Sequence, residues 1–125
     1  MTRRLHLSQN PLSTFILFDR VTPSGVARFL PGLTVTKARE LGWDTLANGE
    51  LLVEAERAGF DVVLTADKNM RYQQNLRGRR IALVVLGTPQ WPIVRLYGEK
   101  IAAAVNAATP GSYTEVHFPS AQGEG

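Results

Sequence analysis

Residues 60–69 read FDVVLTADKN. The first six, Phe60-Asp61-Val62-Val63-Leu64-Thr65, form an apolar, β-branched run too brief for a helix. Gly59 precedes it and the polar Asp67-Lys68-Asn69 follows. The pattern predicts a strand buried on both faces of a parallel sheet. The carboxylate of Asp67 would then project just past the strand's carboxyl end, where ligands collect in open α/β sheets.

Working outward, Asn48-Gly49 opens a helix over 50–58 that Gly59 caps. Leu51, Leu52, Ala55 and Ala58 form its apolar stripe, with Glu50, Glu54 and Arg57 on the other side. Further upstream, Phe15-Ile16-Leu17-Phe18 is a second continuous apolar run, closed by Asp19-Arg20. Thr22-Pro23 offers an N-cap and a first-turn proline for a short helix carrying Val26, Phe29 and Leu30, ended by Pro31-Gly32. Residues 33–36 alternate as a short strand; 37–41 make one or two helical turns stopped by Gly42, and Trp43 and Leu46 cover the core. Downstream, 70–80 is a polar connection carrying Arg71, Arg77, Arg79 and Arg80. Residues 81–86 are a third apolar strand. From Pro92, Ile93, Leu96, Tyr97, Ile101, Ala104, Val105 and Ala108 repeat at helical spacing, and 113–118 alternate like an edge strand.

Alternating strands and helices with right-handed crossovers give a three-layer α/β/α sandwich on a mostly parallel sheet. The continuous runs mark the strands at 15, 60 and 81 as central, and the alternating ones at 33 and 113 as edges. An order of 2-1-3-4-5 satisfies this and brings Asp19 and Asp67 to adjacent strand ends at a topological switch point. Residues 1–13 read as a flexible arm, 14–119 as a single domain and 120–125 as a frayed tail.

The 125 residues suffice for a core without staples, and 44% apolar with 20% charged residues is a globular composition. The absence of cysteine excludes disulfides, thiolate catalysis and cysteine-based zinc sites. His6 and His117 lie far apart without metal-ligand spacing. No run is long enough to span a bilayer, and the start lacks the features of a secretory signal, so a cytoplasmic protein without membrane attachment is expected. The net charge of +3 permits an anionic partner.

Two carboxylates at adjacent strand ends repel unless something positive lies between them. Mg²⁺ or Mn²⁺ suits such a pair, because a hard cation takes few carboxylates and keeps waters and phosphate oxygens as its other ligands. Glu50, in the first turn of the helix flanking that sheet end, is a candidate third carboxylate, although a first-turn glutamate also stabilises its own helix. Lys68, Asn69 and Arg71, with Arg77, Arg79, Arg80 and Tyr72, could track a nucleic-acid backbone or form a solvated loop.

The segments ILFDRVTPSGVARFLPG, ARELGW, NGELL and FDVVLTADKN, within residues 15–86, resemble the PIN-like domains grouped with the ribonuclease toxins of bacterial toxin–antitoxin pairs. The branch is the small one typified by an Asp-Glu-Asn opening. The resemblance implies a metal-dependent endoribonuclease, with Asp19, Glu50 and Asp67 as acidic, metal-holding catalytic positions. It also implies an RNA substrate, a cognate antitoxin protein and a homodimer. Arg20, Lys68, Asn69 and Arg71 are the candidate substrate-binding residues. Two departures bear on activity. Arg20 and Val21 stand where the branch carries glutamate and asparagine, and Asn69 stands where many PIN domains have a further acid. Arg20 either holds a scissile phosphate or pairs with Asp67 or Glu50 in the cation's place. The second arrangement leaves a catalytically inactive module that binds nucleic acid or protein.

Other chemistries lack their residues. A receiver domain wants an acidic pair after its first strand and a lysine after its fifth. A haloacid-dehalogenase-type phosphatase wants a second aspartate where Val21 stands, and a Rossmann cofactor site wants a glycine-rich turn.

Overall fold

The computed structural model describes residues 14–67, 76 and 78–118. The N-terminal arm, the tail, and Lys68, Asn69, Arg71, Tyr72 and Arg77 lie outside the described residues.

Five strands form one sheet: β1 (Phe15–Phe18), β2 (Thr34–Lys37), β3 (Val62–Thr65), β4 (Ala82–Leu86) and β5 (Tyr113–Val116). Their order is β2-β1-β3-β4-β5 and every neighbouring pair is parallel. The strands expected to be central are so: β3 and β4 are buried throughout, whereas β2 and β5 at the edges are partly exposed.

Side chains alternate across a strand, and two separate cores follow. Ile16, Phe18, Val62, Leu64, Val84 and Leu86 pack on one face. They meet Val26 and Leu30, from the 3₁₀ helix Ser24–Phe29 and its end, and Ile101 and Val105 of the helix Gly98–Ala107. Leu17, Val63, Leu83 and Val85 point to the other face, where α1 (Asn48–Ala58) lays down Leu51, Leu52 and Ala55. Burying each such leucine or isoleucine stabilises by roughly 1.5–3 kcal/mol, and the result is three layers. Trp43 and Leu46 join the second core as expected. Gly59 ends α1 in the left-handed region at φ 99°, a conformation a side chain disfavours.

Two local readings change. Thr22 does not cap a helix; Pro23 is extended at φ −62°, ψ 131°, and the following turn is 3₁₀. The Thr22 hydroxyl is engaged elsewhere, as described below. The helix after Pro92 is also not continuous. It runs as α2 (Trp91–Val94), a 3₁₀ turn (Arg95–Tyr97) and α3 (Gly98–Ala107), with Tyr97 leaving helical backbone at φ −117°, ψ 31°. Gly98 sits hard against Phe29, since a Cβ there would lie 2.4 Å from the ring. Among the described residues no helix is long and apolar enough to cross a membrane.

Candidate functional site

The chain leaves β1 towards β2 and leaves β3 towards β4, so the sheet splits its connections between these neighbours. Asp19 follows β1 directly and Asp67 lies two residues beyond β3. The Asp19 N–H donates to Leu64 O at 3.3 Å, which holds the two strand ends together.

Asp19 is buried, 8% exposed, and both of its carboxylate oxygens are hydrogen-bonded. Oδ1 accepts the Val21 N–H at 3.2 Å and meets the Thr22 hydroxyl at 2.7 Å. Oδ2 accepts the Thr65 hydroxyl, whose oxygen in turn accepts the Asp67 N–H at 3.0 Å. Thr65 therefore ties both acidic segments to one atom. Burial pushes the Asp19 carboxyl above the ordinary aspartate range. Hydrogen bonds from Thr65, Thr22 and the Val21 N–H pull it back, and the charge of Asp67 adds to the upward push.

The Thr22 hydroxyl also lies 2.8 Å from Leu64 O. A hydroxyl carries one proton. It donates to Asp19 when the carboxylate is charged, and to Leu64 O when Asp19 is protonated and itself donates to Thr22. One heavy-atom geometry serves both states.

Asp19 and Asp67 share the lining of a cavity of about 730 Å³. Its strand-end wall also includes Arg20, which is exposed, and Val21. The lining continues through the connection leading into α1, with Trp43, Asp44, Thr45 and Leu46, and into the helix's first residues, Asn48 and Gly49. Among the described residues no ion pair joins Arg20 to Asp67 or Glu50. Glu50 is not part of this lining; its Oε1 accepts the Ala47 N–H at 3.0 Å, closing the start of α1. Structure thus brings Asp19, Asp67 and Arg20 to one cavity and engages Glu50 in capping beside it. His117 is on the surface, 3.7 Å from Glu115.

The donor set tests the expected cation. Two carboxylates, electrostatically coupled and open to one cavity, are oxygen ligands of the kind Mg²⁺ or Mn²⁺ accepts. Among the described residues no three His, Cys, Asp or Glu gather as a metal-holding group. In kind of donor the pair is compatible with a hard cation that retains most of its waters.

Sequence reading did not assign Thr22, Thr65 or the Trp43–Asn48 wall to the site. A signal for Thr65 existed: a lone hydroxyl in an otherwise apolar buried strand needs a partner. Thr22 gave none, because its neighbour Pro23 made capping the simpler reading. No protein-family model, curated protein or solved structure matches this chain.

Proposed function

We propose that the chain is a PIN-like domain that cleaves RNA phosphodiester bonds with Mg²⁺ or Mn²⁺. The observation that carries this reading is the sharing of one cavity by Asp19 and Asp67, at adjacent strand ends of a parallel sheet. Asp19 and Asp67 hold the cation, and the hydroxyls of Thr22 and Thr65 fix the orientation of Asp19. The cation, when bound, supplies a Lewis acid that activates water and stabilises the leaving oxygen. Arg20, exposed at the cavity and without an ion pair among the described residues, is free to bind the phosphate and stabilise charge on its non-bridging oxygens. Glu50, whose Oε1 accepts the Ala47 N–H and which does not line the cavity, caps α1 and is not needed by the pair. A cognate antitoxin and a homodimer belong to the same proposal and rest on the resemblance; a cytoplasmic location is part of it too.

The test is calorimetric titration with Mn²⁺ and Mg²⁺, alongside cleavage of a labelled RNA with and without chelator. Binding and chelator-sensitive cleavage are expected in the wild type and lost in Asp67→Asn. Glu50→Ala should keep cation affinity within about twofold while losing about 0.5–2 kcal/mol of stability with its cap. Cleavage at the wild-type rate by Asp19→Ala would refute the assignment.

A second reading, a non-catalytic binding module of the same fold, is favoured by the three donors already on Asp19 and by the capping role of Glu50. It predicts no cation binding and a protein indifferent to chelators.

A further inference from the structure

Building on the hydrolytic reading of the carboxylate pair, we propose that the cavity beside it takes one unstacked nucleobase of a single-stranded nucleic acid, lodged against Trp43. The cavity is too large for the cation alone. It is a recess open to solvent of about 730 Å³, whereas a cation with six waters fills only about 180 Å³ at roughly 30 Å³ per water. The whole is the size of a small-molecule site, for which roughly 300–1,000 Å³ is usual.

The lining has two parts that differ in chemistry. The strand-end wall offers Asp19, Asp67 and Arg20, groups suited to a cation and a phosphate. The connection into α1 and the helix's first residue bring an indole, an apolar side chain, a hydroxyl, a carboxamide and a further carboxylate, from Trp43, Leu46, Thr45, Asn48 and Asp44. A phosphate has no use for an indole. A nucleobase uses the indole, the amide and the hydroxyl, since it has a π-face to stack and an edge of donors and acceptors that an amide and a hydroxyl can meet.

Trp43 is held in place before any ligand arrives. Gly42 turns the chain in the left-handed region at φ 76°, and the Trp43 N–H donates to Ala38 O at 2.9 Å. Its ring meets Phe60 edge-on, centroids 6.2 Å apart at 74°. A base inside a duplex is stacked on both faces and paired along its edge, so only an unpaired or extruded base can enter. The substrate class is therefore single-stranded at this nucleotide.

The protein has two tryptophans, and Trp91 lies in the opposite core, stacked on Phe29 at 6.0 Å. In a Trp91→Phe background Trp43 is the sole indole reporter. That protein is titrated with AMP, UMP and ribose 5-phosphate in EDTA, following tryptophan fluorescence. Saturable quenching by the nucleotides and none by ribose 5-phosphate is expected. Trp43→Leu in the otherwise wild-type chain, read by equilibrium dialysis, should weaken nucleotide binding roughly 5- to 150-fold. Asn48→Ala, which leaves the indole in place, should weaken it less. The proposal is overturned by absent quenching, by an equal response to ribose 5-phosphate, or by unchanged binding in both variants. EDTA removes cation-dependent chemistry from this measurement. Nucleotide binding without any RNA cleavage therefore sinks the hydrolytic reading alone, and cleavage without base-dependent quenching sinks the pocket alone.

Discussion

Thr65→Val preserves the shape of a fully buried side chain while deleting the hydroxyl that joins the two acidic segments. Two groups lose a partner. A hydrogen bond to a charged acceptor contributes about 1.5–3 kcal/mol, and a backbone N–H left unpaired costs about 1 kcal/mol or more. The Asp67 N–H is only partly buried, which places it at the low end, and the added methyl returns at most about 0.8 kcal/mol. The net cost is about 2–3 kcal/mol at neutral pH, equivalent to roughly 8–12 °C in Tm for a domain of this size. It should shrink in acid, where Asp19 is protonated and the lost bond is one between neutral groups. Urea melts at pH 8 and in acid measure this, with Thr65→Ser as the comparison. Serine keeps the hydroxyl and loses a buried methyl, at about 1 kcal/mol, so it should be the more stable variant at pH 8. Valine as stable as wild type, or serine below valine, refutes the network.

Asp19→Asn should raise stability at neutral pH and abolish cation binding. Because the folded carboxyl titrates above its ordinary value of 3.8, wild type and variant should match below that pH. The wild type then falls behind as pH rises through the folded pKa, and the gap is flat beyond it; a constant gap in pH-dependent melts contradicts this. Glu56 has the opposite sign. Burial works to raise it, but the Arg80 N–H at 2.6 Å and Arg79 at 3.1 Å outweigh burial and hold it below the ordinary range. Its stabilisation is present above the ordinary value of 4.5 and lost as pH falls through the folded pKa, so Glu56→Gln should destabilise at pH 7 and match wild type in strong acid. Gly98→Ala should cost about 1–3 kcal/mol by overpacking, because Phe29 is backed by Trp91 and cannot retreat freely. Cation binding should survive in that variant, as calorimetry on the folded protein would check.

Much of the architecture was legible because apolar burial writes itself into local pattern. The uninterrupted runs at 16–18, 62–65 and 82–86 are buried on both faces, and the alternating runs at the edges are not. Continuity against alternation marked the central and edge strands, and the order β2-β1-β3-β4-β5, which satisfies that marking, sets the ends of β1 and β3 side by side. The break before α3 was not legible, because the apolar period passes through Gly98 unchanged. The close approach of the Phe29 ring to Gly98 is a contact between distant parts of the chain.

Residue pattern alone established the layers, the central strands and two acids at one sheet end, since each follows from neighbours a few positions apart. Folding in three dimensions decided which groups touch those acids. Thr65 reaches Asp19 across 46 positions, and Thr22 reaches Leu64 across 42. Glu50 bonds the Ala47 N–H, while the connection carrying Trp43 lines the same cavity as the acids. A hydrogen bond depends on where atoms stand to within tenths of an ångström. That placement is the outcome of packing two cores against one sheet, and no local period in the chain encodes it.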